Sequence, residues 1–209
     1  MYNTILKPET VYHIYTHANG FENLFNCEEN YRYFLHKYSE HIYPVSHTYA
    51  YCLMPNHLHL MVKIRSKKEV LEYVQKKHPK RGNLQGFQNP GGFSNLISQQ
   101  FSNLFNGYTK AYNNMYDRKG SLFIPNFKRK EVEDELYMTK LIVYFHNNPI
   151  HHGFTNSLTE WKYSSFQTYL SANPSKIDRQ YLKGCLGNKE ELIRFHTNEQ
   201  LPMLLKMDS

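Results

Sequence analysis

Residues 45–64 constrain the fold more than any other stretch. Two β-forming runs, VSHTYAYCLM at 45–54 and HLHLMVKI at 57–64, are broken only by Pro55 and Asn56. Proline and asparagine suit a tight turn, and strands joined by so short a turn pair antiparallel. Along a strand, residues i and i+2 share a face. His57 and His59 therefore stand side by side, with Leu58 and Leu60 facing the other way. A chain with this segment builds a sheet that has one apolar face and one face bearing two imidazoles.

The remaining pattern fits around that hairpin. TVYHIYT at 10–16 reads as a strand, followed by a turn signal at 18–20. Asn26 is the expected cap of a helix to Tyr43, with Tyr31, Phe34, Leu35 and Tyr38 on one face and Pro44 ending it. A short helix is expected over 66–77. The glycine- and proline-rich segment 78–92 reads as a flexible loop. Ser94 then caps a helix to Tyr112, two β-like pieces flank Pro125, and Asp134 caps a helix stopped at Asn147 or Asn148 by Pro149. This order predicts an α+β fold, a ferredoxin-like core with an antiparallel β-sheet and helices packed on one face. Residues 1–172 are expected to form the functional domain, and 173–209 a C-terminal extension.

Composition narrows the setting. The chain has 209 residues, a formal charge of +7, 18 tyrosines and 13 phenylalanines. Cations track phosphates and aromatic rings stack on bases, so this balance suits single-stranded nucleic acid. No apolar run approaches the roughly 20 residues that span a bilayer, and the first residues lack a secretory apolar core. Cys27, Cys52 and Cys185 are odd in number and widely spaced, which argues against disulfides and a cysteine-held zinc. A reducing cytoplasmic setting is expected.

Two neutral imidazoles on one rigid face make half a divalent-metal site; they also read as two surface histidines. Further ligands are available on the helix after Asp134. Tyr144 and Asn148 are spaced i, i+4 and share a helical face. If that face meets the histidine strand, Asn148 offers a carbonyl oxygen and Tyr144 a phenol beside it. Taken alone, a tyrosine there is equally a core residue. The chemistry links the parts. A phenol with a pKa of about 10 is a weak nucleophile. A divalent ion that polarises and orients a phosphate offsets this, and the covalent phosphotyrosine conserves the energy of the broken bond.

Four blocks resemble a known family. PNHLHLMV at 55–62 is similar to the histidine-hydrophobe-histidine motif of HUH nucleases. YFHNNPIHHG at 144–153 resembles the Tyr-Ile-His-x-Asn-Pro-Val-x-x-Gly segment of REP-associated tyrosine transposases, relatives of the single-tyrosine insertion-sequence enzymes. GSLFIPNFKRK at 120–130 and WKYSSFQTYL at 161–170 are similar to two further blocks of that family, with Pro125 where glutamine is common and Lys162 where proline is common. The resemblance implies a ferredoxin-like fold, dependence on Mg or Mn, and cleavage of single-stranded or hairpin DNA through a 5′-phosphotyrosine, by a monomer or a homodimer. It places the metal on His57, His59 and Asn148 and the nucleophile on Tyr144. His146 also matches, but its helical position points it elsewhere.

Lys110, Arg118, Lys119, Lys128, Arg129 and Lys130 precede the tyrosine helix, with only Asp117 against them, and form the expected DNA-backbone edge. Two other readings stay open. One is a metal-dependent hydrolase, which lacks the expected cluster of further acidic ligands. The other is a non-catalytic DNA-binding protein descended from a transposase.

Overall fold

A computed structural model describes residues 4–77, 79, 85–87, 89–180, 184 and 187–197. The elements run β1 (Val11–His17), α1 (Glu28–His41), β2 (Ser46–Leu53), β3 (His57–Ile64), α2 (Lys67–Lys77), a 3-10 turn (Gln85–Phe87), α3 (Pro90–Met115), β4 (Lys128–Glu131), α4 (Glu135–His151), α5 (Phe166–Leu170) and α6 (Lys189–Thr197). The sheet order is β2-β3-β1-β4, and every neighbouring pair is antiparallel. The β2–β3 hairpin closes as expected, with Met54 N–H donating to His57 O at 2.8 Å.

Strand alternation sorts the core into two layers. Tyr12 and Ile14 of β1, with Leu58, Leu60 and Val62 of β3, pack against Phe34 and Tyr38 of α1 and Phe101, Leu104 and Tyr108 of α3. Ala50, Cys52 and Met61 face the opposite way, against Leu141, Ile142 and Phe145 of α4. The α+β class and antiparallel sheet agree with the expectation. The core helices α1 and α3 share one face, as expected, and α4, which follows β4, adds cover on the other. Alternating strands this apolar on both sides need cover on both.

Local signals account for the shifted boundaries. α3 begins before Ser94 because Asn89 Oδ1 accepts from Gly92 N–H at 2.7 Å and Pro90 supplies a pre-set first turn. Ser94 instead accepts from Leu6 N–H at 2.9 Å. Residues 90–92 of the expected loop are thus helical; 78, 80–84 and 88 lie outside the described residues. α1 starts at Glu28, because Asn26 N–H is held by Asn30 Oδ1 at 2.9 Å and Cys27 takes the cap position. Pro149 does not stop α4. It lies in the final turn, where its missing N–H costs the helix one bond, to the Phe145 carbonyl, and Gly153 at φ +70° closes the helix with its N–H on Ile150 O at 3.0 Å. Of the two β-like pieces near Pro125, one is β4 and the other is a single bridge from Phe123 to Ala18. No helix among the described residues is long and apolar enough to cross a membrane.

Candidate catalytic and metal site

β1 and β3 build the floor of the site. Alternation puts His13, Tyr15 and His17 on one face of β1, and the register sets Tyr15 opposite His59 and His17 opposite His57. The His17 and His57 rings stack with centroids 4.7 Å apart, while His57 and His59 meet edge to face at 5.2 Å. His152, just past α4, closes on His57 at 5.0 Å.

α4 supplies the roof. Asp134 Oδ1 caps it by accepting from Tyr137 N–H at 2.6 Å. The i, i+4 spacing then turns Tyr144 and Asn148 onto the histidine face. Tyr144 stands edge-on to His59, with ring centroids 5.5 Å apart, and is 5% exposed. Asn148 is fully buried, and its Nδ2 lies 3.2 Å from His59 Nε2. Phe145 packs beside them on the His13 and His59 rings.

Hydrogen-bond partners assign the tautomers. An amide nitrogen only donates, so His59 Nε2 is the acceptor and the ring proton sits on Nδ1, 2.9 Å from His13 Nε2. His57 Nδ1 donates to Asn56 Oδ1 at 2.8 Å. Each imidazole is thus held from behind with its proton on Nδ1 and its basic nitrogen on Nε2, the arrangement a metal ligand needs. Burial keeps both rings neutral. It pushes His57 down to about 3, helped by His17 and His152 and opposed by the Asn148 side chain. It holds His59 well below the usual histidine range, with His13 and His57 adding to the effect.

One atom is left over. Asn148 Oδ1 is buried without a hydrogen-bond partner, which costs about 1–3 kcal/mol. Turning the amide over would present that oxygen to the two Nε2 atoms. The donor set therefore fits a divalent ion: two imidazole nitrogens, one amide oxygen, and room in the coordination sphere for phosphate oxygens. No group of three His, Cys, Asp or Glu suited to a metal occurs among the described residues. Any ion here relies on the amide and the substrate.

The expected basic edge is divided by strand alternation. Lys128 lies 5.5 Å over the Tyr15 ring and Lys130 lies 4.8 Å over Tyr137, both on the histidine side. Arg129 faces α3 and donates to Ser98 Oγ at 2.7 Å. Lys110 and Lys119 are exposed on and just after α3. The Arg118 guanidinium ties its own loop together, reaching Asn113 Oδ1 at 2.8 Å, Ser121 O at 2.9 Å and the Glu22 carboxylate at 2.5 Å. His146 turns away from the site, as its helical position implied, bonding His196 and Ser165.

Sequence reasoning passed over His13, His17, Asn56 and His152. The alternation in VYHIYTH already puts His13 and His17 on one face. What the sequence lacks is the strand order that lays this face beside β3.

An antiparallel sheet carrying a histidine pair, roofed by a helix that brings a tyrosine and an asparagine to it, defines an α+β protein with a buried histidine, tyrosine and asparagine cluster. No protein-family model matches the chain, and no curated protein matches it. Among solved structures, it is similar to a REP-associated tyrosine transposase bound to a REP hairpin. The TM-score is 0.58, at 12% identity, over 83% of this chain and 88% of that one. The chain has the fold of that transposase.

Proposed function

We propose that the chain is a divalent-metal-dependent single-stranded DNA nuclease and strand transferase acting through Tyr144 on hairpin-containing DNA. The observation that carries this reading is the meeting of Tyr144 and Asn148 with the His57–His59 pair, where an amide oxygen is orphaned beside two oriented imidazoles. The solved transposase with the same fold was bound to a REP hairpin, which supports a DNA partner of that shape.

His57, His59 and Asn148 would hold Mg or, better matched to imidazole, Mn. The ion supplies charge neutralisation and orientation of the scissile phosphate. The Tyr144 oxygen bonds to phosphorus on its 5′ side, the P–O3′ bond breaks, and the 3′-oxygen leaves with a proton. A second 3′-OH later attacks the phosphotyrosine, returning the phenol and rejoining the strand. Lys128 and Lys130 flank this face and would contact backbone phosphates, with Lys110 and Lys119 extending the track. Arg118 contributes by holding the loop that carries Lys119.

The test is incubation with Mn and a labelled hairpin bearing single-stranded flanks, followed by denaturing electrophoresis. A covalent adduct absent from Tyr144→Phe and His57→Ala is expected. A second reading, a hairpin-binding protein without catalysis, draws on burial: Tyr144, His57, His59 and Asn148 are all 5% exposed or less. Salt-sensitive hairpin binding with no adduct from the unaltered chain would favour it.

A further inference from the structure

On the sheet face opposite the histidines, a cleft of about 560 Å³ opens between α3 and the segment 120–129. Strand pairing creates it. β1 and β4 pair as far as Tyr15 and Lys128, and pairing resumes at Ala18 and Phe123. Between these points, Thr16 and His17 on one side oppose residues 124–127 on the other, so the partner strand has two residues too many. Pro125 has no N–H to pair, and Asn126 adopts φ +61°. The bulge stands off the sheet edge above Thr16.

Thr16 is the informative residue. It lines the cleft and is 1% exposed, yet its Oγ1 makes no hydrogen bond. A buried hydroxyl without a partner is costly, and valine would pack the same space without that cost. The hydroxyl therefore points to a ligand. Around it the lining combines flat aromatic surface from Phe127 with hydroxyls such as Ser102 and Thr109 and the carboxamides of Asn95 and Asn106. No acidic residue lines it, which disfavours a cation. Its one cation, Arg129, is engaged by Ser98 and lies 5.6 Å over Phe127, which disfavours a phosphate.

We propose that this cleft holds one unpaired nucleobase of the DNA strand on which Tyr144 acts. The inference rests on the DNA-processing reading above and adds a site to it. A base is a flat ring with a donor and acceptor edge, and it needs the mixture found here: a ring to stack on, and amides and hydroxyls to read the edge. The volume falls within the usual range for small-ligand sites, about 300–1,000 Å³. The two sites share a strand, because Thr16 lies between Tyr15 and His17, which face the histidine pair. β4 lies at the sheet edge between them and turns Lys128 and Lys130 to one side and Arg129 to the other. A strand crossing that edge passes from scissile phosphate to cleft.

The experiment uses the full chain carrying Tyr144→Phe, so that binding is read without cleavage. Fluorescence anisotropy measures affinity for a hairpin with single-stranded flanks and for versions with one abasic site at each flank position. One position should weaken binding about tenfold when its base is removed. Adding Thr16→Val or Asn106→Leu should weaken binding of intact DNA by a similar factor and erase the penalty at that position. Thermal melting of Thr16→Val should match or exceed that of its parent, which excludes misfolding as the cause. Hairpin binding with the same abasic profile in parent and variants overturns the cleft and leaves the DNA-processing reading standing. No binding of any hairpin overturns both.

Discussion

α4 carries a histidine network on each side, and the two differ in one respect. Toward the sheet, His59 bonds His13 and Asn148. Away from it, His146 Nδ1 meets His196 Nε2 at 2.8 Å, His146 Nε2 meets Ser165 Oγ at 2.8 Å, and His196 Nδ1 donates to Leu192 O at 2.7 Å. Burial keeps His59 and His146 alike well below the usual histidine range. The outer network is closed: every ring nitrogen has a partner, and it ties α6 and the segment before α5 to α4. The sheet-side network leaves Asn148 Oδ1 over. A satisfied buried network specifies a fold, whereas one with a missing partner is poised for a ligand.

The strongest way to break this comparison is to remove one histidine from each side. His59→Ala should lower Mn affinity at least about 100-fold, since the loss of even an outer partner costs 10–100-fold. His146→Ala should leave Mn affinity of the folded protein unchanged and cost about 2–4 kcal/mol of stability, through a cavity and two stranded hydrogen-bond partners. Calorimetric Mn titration and urea unfolding read the two effects. Equal loss of Mn binding in both variants would show that the distinction between the networks is false.

Acid should act on the buried neutral histidines of both networks, and in the closed one it is read through His196. Burial lowers His196 to about 4, against about 6.5 in an unfolded chain. Between those values the unfolded state binds a proton that the folded state does not. Stability is therefore full above about pH 6.5 and falls as pH drops to about 4, by at most about 3 kcal/mol for this one group. The facing groups are His146 of α4 and the uncharged Phe166 and Leu192, so no carboxylate among these contacts offsets the trend. His196→Phe should flatten the melting-temperature profile by one proton, and hydrogen exchange should show α6 opening first in acid. An unchanged profile in the variant would remove His196 from the account.

Asn148→Leu sharpens the contrast at smaller amplitude. Leucine removes the orphaned oxygen but strands His59 Nε2, so the two effects offset and stability should change by less than about 1 kcal/mol, while Mn affinity falls about tenfold. Asn147→Ala is the control. Its amide donates to Val143 O at 3.0 Å and His196 O at 3.3 Å, so it should cost about 1 kcal/mol and spare Mn binding.

The site was legible where short-range periodicity determines geometry. A period of two set His57 beside His59, and a spacing of four set Tyr144 over Asn148. Joining the two pairs needed a tertiary contact that the sequence pattern allowed without requiring. The closed network was less legible, because Ser165 and His196 are 31 residues apart in sequence and each reaches His146 only through folding. The proline reading failed at Pro149 because proline's own φ is helical and its cost, one bond to the preceding turn, is outweighed by the burial of α4 against the sheet. The cleft at Thr16 was invisible for a similar reason: a bulge is a mismatch between two strands, and neither strand alone records it.

His13 offers the finest test of how the open network works. It touches neither Tyr144 nor the proposed ion position, and it acts by accepting the Nδ1 proton of His59 at 2.9 Å. That bond keeps the basic nitrogen of His59 on Nε2, facing Asn148. Replacement by phenylalanine keeps the ring packing on Phe145 but removes the acceptor, so the proton of His59 has no reason to stay on Nδ1. Glutamine shortens the ring yet keeps an oxygen that can accept. Mn affinity should therefore fall about tenfold in His13→Phe and only a few-fold in His13→Gln. Nitrogen chemical shifts of His59 should move from the Nδ1–H tautomer toward a mixture in the first variant and stay in place in the second. If both variants lose affinity equally with no tautomer change, His13 serves as packing, and the orientation of His59 comes from Asn148 alone.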